Sequence, residues 1–236
     1  MSAGKRQQLL VVPGVEISAE TTVGTLHLLG YFIDHHNEIL NQTLVWMQEQ
    51  RKNRNFLLVE KLTKLGILID FEQVKRIAGS EVIGRPHFAS ILEKMGVVVD
   101  FHDAFQRFLG PSGKAYIPKV RMDPERAILA IRAAGGVPVL AHPVDLTNDF
   151  DYLENHVKRL CDMGLEGIEV WYPKHLDREV LEYQRLAEKY HLVMTGGSDF
   201  HGANKPHLDL GVGEGNLDVR FDVVEQLIER QKNITG

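Results

Sequence analysis

Apolar and polar positions along this chain follow two different periods, and the change from one to the other divides it. Residues 9–18 (LLVVPGVEIS) are apolar and β-branched, broken by Pro13-Gly14, and predict a buried strand. A short polar turn containing Gly24 separates this from a second predicted strand at 25–33 (TLHLLGYFI). From 37 to 66 the spacing turns helical, with Ile39, Leu40, Leu44, Met47, Phe56, Val59, Leu62 and Leu65 recurring on the helix period. Shorter helical stretches, each punctuated by glycine, follow at about 71–78, 86–95 and 102–109.

Strand-then-helix alternation resumes at Asp123-Pro124. Asp123 suits an N-cap and Pro124 the first helical position. That helix stops at Gly135-Gly136. A strand at 137–141 then ends at His142-Pro143, and a helix spans 150–163. A strand at 167–171, a helix at 176–190, a strand at 192–195 entering GGSDFHG, and a last helix at 223–232 complete the series. Repeated units of this kind predict an α/β fold with a parallel sheet and right-handed crossovers, as an open sheet or a barrel. The mostly helical segment 38–114 reads as an insertion between 1–37 and 115–236. No internal repeat or low-complexity segment is apparent.

Composition narrows the setting. At 236 residues, 44% hydrophobic and 25% charged, the chain is ordinary for a globular protein with a real core. A net charge of −5 gives no general affinity for nucleic acid or an anionic membrane, though it leaves room for a small phosphate site. No apolar run reaches the roughly 18 residues of a membrane helix, and the start lacks a signal-peptide layout. The single cysteine, Cys161, excludes an internal disulfide framework and a cysteine-based zinc site, and fits a reduced cytoplasmic setting.

The carboxyl ends of strands collect active sites in parallel α/β folds. Here that rule selects Glu16, His27, His142, Asp199 and His201, five side chains from four predicted strands. Imidazole with carboxylate suits zinc, manganese or iron rather than calcium or an iron–sulfur cluster. Each also has a bland reading. Glu16 alone would be a solvated strand-end acid, His27 an exposed alternation partner of Leu26 and Leu28, and His142 a turn histidine. In SDFH, Asp199 and His201 point the same way from an extended segment, as a metal pair would. His35, His36, His102, His156, His175, His191 and His207 lack suitable partners and read as surface or structural. GRPHFA opens a helix at Pro86. With Arg85 and His87 it reads either as a phosphate pocket at a helix N-terminus or as a capped helix start. Lys119 in AYIPK is a weaker phosphate candidate.

PGVEIS, TLHLLGYFID, GRPHFA, AYIPK, AHP and GGSDFHG, in this order over residues 9 to about 213, resemble the polymerase-and-histidinol-phosphatase (PHP) family. They are most similar to its small stand-alone branch, whose members act on nucleoside bisphosphates or the 5' ends of short RNAs. The resemblance implies a distorted (β/α)7 TIM-like barrel with a helical insert and two or three divalent metal ions at its mouth. It implies that Glu16 bridges metals, with His27, His142, Asp199 and His201 as further ligands, and that Arg85 and His87 bind substrate phosphate. It also implies metal-assisted hydrolysis of a nucleotide or short-oligonucleotide phosphate ester, with Glu16, His142 and Asp199 at the catalytic centre. Amide or histidinol-phosphate hydrolysis is the alternative on that scaffold. The family's opening His-x-His strand and following Asp-His strand have no counterpart here. Either Met1 is not the true start, or the chain is a fragment, or it self-associates to cover the open barrel edge. The rival reading is an impaired remnant that serves as a non-catalytic metal-binding or partner protein.

Overall fold

The computed structural model describes residues 2–79, 83–202 and 207–236. Its chain divides into two compact units, Met1–Thr43 with Arg121–Gly236, and Leu44–Val120.

The first unit is a mixed α/β structure built on a five-stranded sheet. After a short helix α1 (Ser2–Arg6) come β1 (Gly14–Ala19) and β2 (Leu26–Tyr31). The later strands are β3 (Val137–Leu140), β4 (Gly167–Trp171) and β5 (Val193–Gly196), in the spatial order β1-β2-β3-β4-β5. β3, β4 and β5 pair in parallel, as the strand–helix alternation predicts. β2 does not. It is antiparallel to β1 because the short turn at Gly24 returns the chain directly with no crossover helix, and the reversed β2 then also runs antiparallel to β3. The first strand also begins later than its apolar run. Leu9 and Leu10 are exposed and only 14–19 is paired, since Pro13 has no N–H to give a ladder.

Helix α6 (Pro124–Ala133) packs on β1, β2 and β3. It approaches so closely that a Cβ on Gly30 would stand 2.9 Å from Ile131, which makes glycine necessary in the middle of β2. α8 (Asp177–Tyr190) packs on β4 and β5, and α9 (Asp222–Thr235) on β3 and β5. α7 (Phe150–Asp162) packs on α8. All four residues of β3 are buried, as a central strand covered on both faces must be. One sheet face packs Val137, Val139 and Val193 against Val223 and Leu227 of α9.

In the second unit, the greater part of α2 (Glu38–Lys64) joins α3 (Phe71–Ala78), α4 (Arg85–Lys94) and the short α5 (Phe101–Ala104). A π-helical turn, Phe105–Leu109, continues α5. Asp70 caps α3 by accepting from the Glu72 N–H, and Gly79 ends it in the left-handed region. The core gathers Leu58, Leu62, Val74, Phe88, Leu92 and Leu109. Of the apolar positions read along α2, Ile39, Phe56 and Leu65 are exposed, so its buried stripe is narrower than the sequence pattern suggests. Among the described residues, no helix is long and apolar enough to cross a membrane.

Candidate metal centre

The antiparallel pairing of β2 explains how three distant side chains meet. His27 lies at the start of β2, not at its end as strand-end reasoning supposed. Because β2 is reversed, that start lies beside the carboxyl ends of β1 and β3. Ser18 pairs with His27, and the Ala141 N–H donates to the His27 carbonyl. Alternation puts Glu16, two residues before Ser18, on the same face as His27. His142 follows directly after Ala141.

Glu16 Oε1 lies 2.6 Å from His27 Nδ1 and 3.3 Å from His142 Nε2, and the two nitrogens are 3.3 Å apart. Among the described residues, these three alone bring ligand atoms of a metal-binding type within 4.8 Å of one another. His142 is buried while Glu16 is exposed, so the group is open to solvent from the Glu16 side. The hydrogen bond to His142, then that to His27, holds the Glu16 carboxyl well below the usual carboxylate range. Burial pulls His142 down, but the bond to Glu16 and the charges of Glu169 and Asp145 outweigh it and raise the imidazole.

The donor set fits a divalent cation. Two imidazole nitrogens and a carboxylate oxygen spaced 2.6–3.3 Å apart match ligands sharing one ion at roughly 2.0–2.2 Å. Behind the site, His142 Nδ1 lies 3.2 Å from Asp145 Oδ2, although not aligned as a hydrogen bond. A carboxylate behind a ligating imidazole is the usual outer partner that fixes its orientation.

Asp199 and His201 lie outside this tight group. Asp199 Oδ2 accepts from the Tyr172 hydroxyl at 3.4 Å, and Tyr172 in turn packs on His142 with ring centroids 5.4 Å apart. His201 Nδ1 lies 2.7 Å from the Asp199 carbonyl oxygen and 3.2 Å from its carboxylate. Asp199 and His142 are two of the few non-glycine residues with positive φ, at 50° and 25°. Strained backbone of this kind concentrates at functional sites.

Arg85, His87 and Lys119 belong to the helical unit. The Arg85 guanidinium sits over the rings of Phe105 and Tyr116 and donates to the Leu109 carbonyl. His87 Nδ1 accepts the Gly84 N–H at the start of α4, which is the capping arrangement, and leaves Nε2 for any other role. Lys119 is exposed. Of the remaining histidines, His175 packs between Tyr172 and Tyr183 and His156 stacks on Tyr152, both as structural residues.

Asp145, Glu169 and Tyr172 escape the sequence reading. Glu169 is the middle residue of β4, 4% exposed, and burial pushes its carboxyl up to about 7. Its only signal in the sequence is one acid inside the apolar run GIEVW, and a carboxylate enters such a run only with a partner.

No family model matches the chain. It is 30% identical over 227 residues to the 5'-3' exoribonuclease Rnm of Escherichia coli, covering 96% of this chain and 77% of that one. It is 29% identical over 211 residues to the 3',5'-nucleoside bisphosphate phosphatase of Chromobacterium violaceum, covering 89% and 74%. A crystal structure from Bifidobacterium adolescentis, named as a metal-dependent phosphoesterase, superposes with a TM-score of 0.78 at 29% identity, covering 97% and 79%. With 30% identity sustained over more than three quarters of the relative's length, the chain belongs to the family of the 5'-3' exoribonuclease Rnm.

Proposed function

We propose that the protein is a metal-dependent phosphoester hydrolase of the PHP family that acts on a nucleotide or short-oligonucleotide phosphate ester. The observation that carries this is the Glu16–His27–His142 donor set in a chain whose relatives are named as nucleotide and RNA phosphoesterases. The fold is then a distorted (β/α)7 barrel with segment 38–114 as its helical insertion.

A divalent ion, manganese, zinc or iron, held there supplies Lewis-acid polarisation of phosphoryl oxygen and activation of water near neutral pH. Glu16, His27 and His142 would hold it, and Glu16 would be shared with a second ion. Asp199 and His201 add ligands from the end of β5. Arg85, His87 and Lys119 bind a second phosphate of the substrate, so that binding energy remote from the cleaved bond assists the reaction. The lone, partly buried Cys161 suits a reduced cytoplasm. A second copy of the chain is a candidate partner.

The test is turnover of a nucleoside 3',5'-bisphosphate and of a 5'-phosphorylated oligonucleotide with manganese, with and without a chelator. Chelator-sensitive release of phosphate or mononucleotide is expected, and His27→Ala should abolish it. Turnover indifferent to the chelator would overturn the metal assignment. A folded, metal-loaded chain inactive on both substrates would favour the non-catalytic reading.

A further inference from the structure

Glu169 has no place in the donor set, yet it is buried between the two strand ends that deliver candidate ligands. β4 lies between β3, which leads to His142, and β5, which leads to Asp199. Its neighbours Ile168 and Val170 are fully buried. A carboxylate in such a strand carries a desolvation cost that an apolar residue would not. Glu169 Oε2 accepts the His142 backbone N–H at 2.7 Å. On the other side, Oε1 lies near Gly197, where an added Cβ would make ordinary contact with it at 3.4 Å.

The bond matters because of what His142 is made to do. Its φ of 25° and ψ of 68° lie in the left-handed region, and Pro143 follows. Proline disfavours helical conformations in the residue before it, and positive φ is strained for a residue that carries a β-carbon. Such a conformation persists only where the surroundings over-determine it. Asn or Gly would adopt it more readily, but neither supplies an imidazole.

We infer that Glu169 is a positioning residue for the metal centre: by accepting the His142 N–H it holds that residue in its left-handed conformation and aims Nε2 at Glu16 and His27. This rests on the reading that those three side chains hold the ion. The Asp145 carboxylate lies 3.2 Å from the ring on the Nδ1 side, while Glu169 holds the backbone that carries it. The two act on different parts of one ligand.

The experiment compares Glu169→Ala, Glu169→Gln and, as a packing control, Val170→Ala. Manganese affinity is read by calorimetry, folding by circular dichroism, and the His142 amide by 15N-edited NMR on the metal-free protein. Loss of the acceptor in the Ala variant should weaken manganese binding by about 10–100-fold, the range for outer partners of metal ligands. The same variant should move the His142 amide resonance upfield. The Gln variant, which keeps an acceptor oxygen, should restore most of the affinity. Val170→Ala should lower the melting temperature without a comparable loss of affinity. The inference is overturned if Glu169→Ala binds manganese as wild type does, or if Val170→Ala loses affinity in parallel. A wild-type chain that takes up no metal sinks the metal centre itself and this role with it. The amide resonance then still tells whether the hold on His142 exists.

Discussion

Among the three clustered donors, Glu16 separates a metal centre from a hydrogen-bonded trio. Its Oε1 touches both imidazoles, so Glu16→Gln keeps the shape and an acceptor oxygen but removes the charge. Calorimetric titration should then show manganese affinity falling by at least the roughly 10–100-fold that even outer partners cost. Undiminished affinity would move the site elsewhere. Arg54 presents the opposite case. It is 8% exposed, its Nε finds no hydrogen-bond partner, and burial followed by the nearby charges of Arg85 and Arg51 brings its guanidinium down to about 10. Arg54→Met keeps the apolar stem and removes a charge buried at a cost, so thermal unfolding should occur at an equal or higher temperature. A clear drop would mean that the charge has an anionic partner. Glu16, His27 and His142 stood out in the sequence because each is an ionisable residue in or just after a predicted apolar strand. Glu169 was not, because nothing in GIEVW reveals which backbone N–H a buried carboxylate serves.

Among the elements, nearly every helix and strand was legible from its period, and so were the directions of β3, β4 and β5, but not that of β2. Strand–helix alternation carries direction only where a crossover exists, and between β1 and β2 there is only a turn. The π-helical turn at Phe105–Leu109 was likewise read as plain helix, since side-chain spacing hardly distinguishes the two over one turn. The contact of α7 with α8 is bridged by Glu154, which pairs with both Lys189 and Arg185. These bonds, that to Lys189 first, lower the Glu154 carboxyl to about 2. A depressed folded value means that the contribution is present above the unfolded carboxylate range. It fades as pH falls from about 4.3, the ordinary glutamate value, toward about 2. Glu154→Gln should therefore melt earlier than wild type at pH 7 and low salt. The gap should close as the pH drops through that window, and also in molar salt, because Arg185 and Lys189 reach Glu154 from the surface, each about half exposed. A gap that persists at pH 2 would assign the effect to packing instead.

For the whole molecule, the decisive fact is that the three donors and the helical core belong to different compact units. Glu16, His27 and His142 all come from Met1–Thr43 with Arg121–Gly236, while Phe88 is fully buried in the core of Leu44–Val120. The switch from period two to helical spacing and back reads in the sequence as an insertion over 38–114, while the compact unit spans Leu44–Val120. Phe88→Ala should cost the helical unit about 3–5 kcal/mol, the usual range for removing a buried aromatic ring. Hydrogen exchange should locate that loss in the amides of α3, α4 and the second half of α2. Manganese affinity should stay close to wild type, since none of the three donors belongs to the unit that is loosened. If Arg85 and His87 bind the substrate's second phosphate, KM for a nucleoside bisphosphate should rise in the same variant, since both residues flank Phe88 on α4. Metal affinity falling in step with the exchange protection of α4 would show that the two units stand or fall together. An unchanged KM, with the helical unit demonstrably loosened, would remove Arg85 and His87 from the substrate site and leave them as a stacked arginine and a helix cap.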